Sequence, residues 1–162
     1  ILRTNIATKL TNILKQHQMS PVQLRLEITE NILLEDKQKA AKQLQKLKSA
    51  GFKLLLDDFG TGYSSLSYLN QYPIDVLKID RAFIDQIGDS KQSDALVKAI
   101  VAMGHALDLD VVAEGVETAE HVAFLKNLSC HTAQGYFFGK PMPAAEVKDM
   151  IININKPLIK GS

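Results

Sequence analysis

Carboxylates recur at the ends of apolar runs along this 162-residue chain: Glu27 and Glu30 at one run, Asp57 and Asp58 directly after a second, Asp80 after a third, Glu114 and Glu117 after a fourth. If those runs are parallel strands of one sheet, their carboxyl ends share a rim and the acids crowd into one cleft. Carboxylates so placed repel each other and stay ionised together at neutral pH only when cations compensate them. Clustered oxygen ligands favour hard divalent ions, Mg²⁺, Mn²⁺ or Ca²⁺, so the chemistry indicated is a polycarboxylate metal site. Taken singly, each acid reads equally well as a helix N-cap or first-turn residue of a βα loop. The adjacent pair Asp57-Asp58 fits that reading less well, because it follows Leu54-Leu55-Leu56 and brings charge to the edge of a core. One carboxylate of such a pair can bridge two ions while its neighbour holds the second.

Lys78 stands inside the run Val76-Leu77-Lys78-Ile79-Asp80. A lysine within an apolar strand must reach a polar mouth or meet a carboxylate, and Asp80, two residues on, shares its face in an extended chain. Phe59-Gly60-Thr61-Gly62-Tyr63-Ser64-Ser65 follows the Asp pair. Gly60 and Gly62 permit positive φ and close backbone approach, as in a loop that shapes itself around metal or substrate, or in a plain tight turn. Asp58-Phe59-Gly60 also matches the kinase metal triplet, but no kinase glycine loop or His-Arg-Asp segment accompanies it. His17, His105, His121 and His131 show no ligand spacing, and Cys130 reads as a buried thiol.

The elements that position these groups follow from the hydrophobic pattern. Strand-length runs at residues 24–28, 53–56, 76–79, 111–113 and 132–138 alternate with amphipathic stretches at 37–50, 93–107 and 119–128; further helices are predicted over 1–17 and from 144 to about 154. Alternation of this kind predicts parallel strands joined by right-handed crossovers, an α/β class that is doubly wound or a barrel. A closed eight-stranded barrel needs about 200 residues or more, so five strands suit a small open sheet or a barrel lacking its beginning. With 46% hydrophobic residues and a formal net charge of +1, the composition is that of one globular domain, residues 1–162, without the footprint of a duplex-DNA or anionic-membrane binder. The longest stretch free of Asp, Glu, Lys and Arg, residues 59–74, is too short and polar for a membrane span. A single cysteine forms no internal disulfide, which suits a cytoplasmic setting. The opening at Ile1, with neither Met nor a signal peptide, reads as a piece of something longer, and Gly161-Ser162 are given no role.

Five blocks in order resemble the EAL domain, the cyclic di-GMP phosphodiesterase family of bacterial second-messenger signalling: Leu26-Glu27-Ile28-Thr29-Glu30, Asp57-Asp58-Phe59-Gly60-Thr61-Gly62-Tyr63-Ser64-Ser65-Leu66, Leu77-Lys78-Ile79-Asp80, Ala113-Glu114-Gly115-Val116-Glu117-Thr118 and Gln134-Gly135-Tyr136-Phe137-Phe138. The resemblance implies a modified (β/α)₈ TIM-like barrel, of which this chain would hold the carboxyl-terminal two thirds. It implies hydrolysis of cyclic di-GMP to linear pGpG with Mg²⁺ or Mn²⁺, two ions, and inhibition by Ca²⁺. By the same resemblance Glu27 and Asp57 bind the first metal. Asp57 as bridge, Asp58 and Glu114 surround the second, and Asp80 stands with them. Lys78 positions the attacking water and steadies the phosphate; Glu114 is a general base or metal ligand. Glu30 anchors the loop of Gly60, Thr61 and Gly62, while Glu117 and Gln134 complete the rim. The implied partners are cyclic di-GMP, a second copy in a homodimer, and sensory or diguanylate cyclase domains in a parent chain. The family's Glu-Ala-Leu tripeptide and a further metal-binding Asn precede the matched blocks and are not in this sequence; Asn5 and Asn12 fall in a helical stretch and are not substitutes. A non-catalytic cyclic di-GMP receptor and a dimerisation module are the alternatives.

Overall fold

Leu54, Leu55, Leu56, Val76, Leu77 and Ile79 are all nearly inaccessible to solvent, as expected for strands covered on both faces. A computed structural model describes residues 5–60, 69 and 71–154. Five strands form one sheet: β1 (Arg25–Thr29), β2 (Lys53–Phe59), β3 (Val76–Ile79), β4 (Asp110–Ala113) and β5 (Thr132–Ala133). They lie in sequence order and every pairing is parallel. That is the predicted α/β class, with the strand order of part of a βα barrel's wall.

The helices are α1 (Ile6–Gln16), α2 (Glu30–Glu35), α3 (Lys37–Ser49), α4 (Arg81–Ile84), α5 (Lys91–Ala106), α6 (Ala119–Asn127) and α7 (Ala144–Ile154). Three of them start at side-chain caps: Asp36 accepts from Lys39 N–H, Ser90 from Ser93 N–H and Thr118 from His121 N–H. Ala40, Leu44 and Leu47 of α3, with Val97, Ile100 and Val101 of α5, join Leu54, Leu56 and Leu77 in one core, while Leu55, Val76 and Val112 cluster separately. α5 comes close enough to β4 that a Cβ on Gly104 would lie 2.4 Å from Val111 Cγ2. Among the described residues no helix is long and apolar enough to cross a membrane.

Three of the boundaries that differ from the sequence pattern bear on the site. β2 does not stop at Leu56 but carries Asp57 and Asp58 on to Phe59, whose buried ring pairs across to Ile79 through a register shift. β1 extends to Thr29, which puts Glu27 in mid-strand and Glu30 at the start of α2. The run at 132–138 is a strand only over Thr132–Ala133, because the chain then turns across Val116. Val116 N–H donates to Gln134, Phe137 N–H donates to Val116, and a Cβ on Gly135 would lie 2.1 Å from the Val116 carbonyl oxygen.

Candidate active site

The side chain of Lys78 is 4% exposed, yet its ammonium meets three carboxylates from three strands or their ends. Nζ lies 2.8 Å from Glu27 Oε1, 2.9 Å from Asp57 Oδ1 and 2.6 Å from Glu114 Oε1. The sheet register produces this meeting. β3 lies between β2 and β4, Thr29 of β1 is opposite Asp57, and Glu114 leaves β4 with its N–H bonded to the Ile79 carbonyl. Burial alone would lower the lysine's pKa; its contacts with the carboxylates of Glu114, Glu27 and Asp57 outweigh it and leave the ammonium more basic than an ordinary lysine. Burial raises the Glu114 pKa, with Asp57 and Glu27 adding to the rise and Lys78 opposing it. Gln134 Nε2 donates to the same Glu114 oxygen at 2.6 Å, and backbone bonds to Ala113 and Val116 fix Gln134 in place.

Asp58 adopts a left-handed φ of 56°, uncommon for a residue with a side chain, at the register shift of β2. Its pKa is raised by partial desolvation, then by the charges of Asp57 and Asp80 and a hydrogen bond with the Asp80 carboxyl, with Lys78 pulling the other way. Asp80 is not the partner of Lys78. β3 ends at Ile79, so strand alternation no longer governs Asp80, whose Oδ1 caps α4 by accepting from Ala82 N–H at 2.8 Å. Glu30 is buried and its Oε1 accepts from Gly60 N–H at 3.4 Å; Gly60 has a φ of 96°. Thr61 and Gly62, with Tyr63, Ser64 and Ser65, lie outside the described residues. Glu117 ion-pairs with Arg81, at 2.9 Å from Nη2. Arg81 carried no signal in the pattern of motifs, although Gly115, over which its stem lies, is the glycine between two rim acids. His121 is buried at the start of α6, and burial raises the Cys130 thiol pKa.

Three carboxylates against one ammonium leave negative charge in excess, and the Asp57 oxygen facing Lys78 is buried and meets it without the angles of a hydrogen bond. Both features, with all-oxygen donors, fit a hard divalent ion. Among the described residues no three of these side chains already surround an empty point at ligand spacing; Lys78 holds the centre.

A model of the family described as the EAL domain matches residues 1–141. The chain belongs to the EAL domain family. Over 149 residues it is 40% identical to "Cyclic di-GMP phosphodiesterase NbdA" of Pseudomonas aeruginosa, covering 92% of this chain and 19% of that protein. It resembles the solved Pseudomonas structure "PaMucR Phosphodiesterase, c-di-GMP complex" with a TM-score of 0.84 and 41% identity, covering 90% of this chain and 59% of that one. The manganese and cyclic di-GMP complex of Klebsiella pneumoniae BlrP1 matches at a TM-score of 0.80 and 34% identity, over 86% of this chain and 36% of that one. This EAL chain spans less than a quarter of the length of the curated relatives it matches. The fold is the TIM-like barrel type of those structures.

Proposed function

We propose that this EAL domain chain is the hydrolytic part of a metal-dependent cyclic di-GMP phosphodiesterase that releases linear pGpG. The observation that carries the reading is the convergence of Glu27, Asp57 and Glu114 on buried Lys78. A phosphodiester is anionic, and an ammonium within this rim gives its oxygens a fixed positive partner. In the reaction a water oxygen bonds to phosphorus, one P–O ester bond breaks, and the leaving sugar oxygen takes up a proton. Glu114, basic enough through its raised pKa, accepts the proton of the attacking water, while Gln134 holds it in orientation. Lys78 steadies the phosphate and orients the water. Glu30 holds Gly60 at the entrance.

Glu27, Asp57 and Asp58, with Asp80 hydrogen-bonded behind Asp58, would hold Mg²⁺ or Mn²⁺, and the ions, when bound, would supply a more acidic water and neutralise charge growing on the phosphodiester. Our reading of the parent protein is a bacterial cytoplasmic homodimer with cyclase or sensory domains; the relative called "Bifunctional diguanylate cyclase/cyclic di-GMP phosphodiesterase MucR" supports the cyclase domain alone. The test is chromatographic detection of pGpG from cyclic di-GMP with Mg²⁺ or Mn²⁺, with Glu114→Gln and a chelator as controls. Turnover lost in both controls supports the reading. Nucleotide binding without turnover under every metal replaces it with a receptor function.

A further inference from the structure

Beside the carboxylate rim lies a cavity of about 670 Å³ lined by Arg81, Glu117, Gln134, Tyr136, Lys140 and Met142 among others. Gln134 belongs to both places, since its side chain bonds Glu114, so the cavity adjoins the site. On its wall a chain of charges crosses from α4 to the loop after β4. Asp85 Oδ2 accepts from Arg81 Nε at 2.9 Å, and Arg81 Nη2 lies 2.9 Å from Glu117 Oε1. The arginine stem is laid over Gly115, whose φ is 72°. A Cβ there would fall 2.3 Å from Arg81 Cγ, 2.8 Å from its Cβ and 2.9 Å from its Cδ. The glycine thus leaves room for the arginine as well as for its own backbone turn.

The Arg81 side chain is 55% exposed and that of Glu117 36%, so solvent screens the pair and it adds little to stability. What a two-pronged guanidinium does well is fix direction, because its planar donors reach two carboxylates on different elements at once. We infer that Arg81, held by Asp85 and seated on Gly115, is a positioning residue that aims the Glu117 carboxylate into the cavity where the nucleotide is recognised. With one Glu117 oxygen tied to the guanidinium, the carboxylate keeps its other oxygen to meet a donor of the ligand. This rests on the cyclic di-GMP reading above.

The experiment measures steady-state hydrolysis and, separately, equilibrium binding of fluorescently labelled cyclic di-GMP with Ca²⁺ in place of Mg²⁺. Arg81→Ala should raise KM and the dissociation constant about tenfold with kcat within about twofold, the signature of lost uniform binding. Asp85→Asn, a change outside the residues lining the cavity, should raise KM by a smaller factor, and Arg81→Lys should fall between wild type and Arg81→Ala. Arg81→Ala added to Glu117→Gln should change nothing further, and Gly115→Ala should weaken binding in the wild-type background more than in Arg81→Ala. Melting temperatures of the Arg81 variants should stay within a few degrees of wild type. Multiplicative effects of Arg81→Ala and Glu117→Gln, or unchanged nucleotide binding in Arg81→Ala, overturn the inference. If wild type binds the nucleotide without hydrolysing it, the phosphodiesterase reading fails alone and the binding constants still decide Arg81. If wild type neither binds nor hydrolyses, both fall.

Discussion

Lys78→Met removes a positive charge facing Glu27, Asp57 and Glu114 while keeping most of the side-chain volume. Each contact, at 2.6–2.9 Å, is worth about 6 kcal/mol in gross Coulomb terms at an effective dielectric of about 20. Three oxygens so arranged lie roughly 5 Å from one another, and each of their mutual repulsions is about 3 kcal/mol. The net attraction is further reduced by dehydrating the ammonium and by the exposure of Glu27, whose side chain is 51% accessible. Breaking a buried pair by deleting one partner costs about 3–5 kcal/mol. In a chain of this size that lowers the melting temperature by about 6–20 °C. The assay is thermal unfolding in chelator, repeated over a titration of Mg²⁺ or Mn²⁺. The variant should be stabilised by the ion more than wild type is, because its carboxylates have lost their internal counter-charge and bind the cation more tightly. A variant that melts within about 2 °C of wild type in chelator, well short of the loss expected for a broken buried pair, and gains no more from metal than wild type would refute the claim that Lys78 compensates the rim.

Gln134→Leu deletes the donor to Glu114 and should lower kcat about 10–100-fold, the usual cost of losing a residue that orients a ligand or base, with little change in melting temperature; steady-state kinetics checks it. The pKa of Glu114 is raised above the ordinary 4.5, so the folded state binds its proton more tightly than the unfolded state. The stability this adds is complete below 4.5 and is lost as pH rises through the folded value, while Lys78 stays charged throughout. The difference in melting temperature between wild type and Glu114→Gln in chelator should therefore shift against wild type on going from pH 4.5 to neutrality, and saturating Mg²⁺ should flatten it. Gly104→Ala places a methyl against Val111 and should cost about 1–3 kcal/mol by overpacking, read from denaturant unfolding.

The alternation of apolar runs and amphipathic stretches was enough to give the parallel sheet, because Leu54–Leu56 and Val76–Ile79 are buried on both faces and any parallel strand must be. α2 and α4, of six and four residues, are too short to show a helical period and passed unseen. The hydrophobic pattern overstates β5, since Tyr136, Phe137 and Phe138 look like strand residues but stand 54%, 46% and 46% exposed after the turn across Val116. A net charge of +1 likewise concealed a segregation. α1 and α3 carry two and five lysines and no carboxylate, while acids gather at the strand ends.

The rim acids could each be read as ligand or cap, and the fold assigns those two jobs to different residues according to where regular structure stops. Glu27, Asp57 and Glu114 lie within a strand or directly at its end, where side-chain direction is set by the sheet, and all three face Lys78. Asp80 precedes α4 and caps it by accepting from Ala82 N–H, while Glu30, at the start of α2, accepts from Gly60 N–H just past the end of β2. Asp58 stands between the two classes, at a bulge that turns it from Lys78 toward Asp80. Sequence spacing alone does not contain that distinction, because Lys78 and Asp80 are two residues apart whether or not β3 extends to both. One hydrogen-bonded position at the end of a strand decides which acid answers a buried cation and which caps a helix.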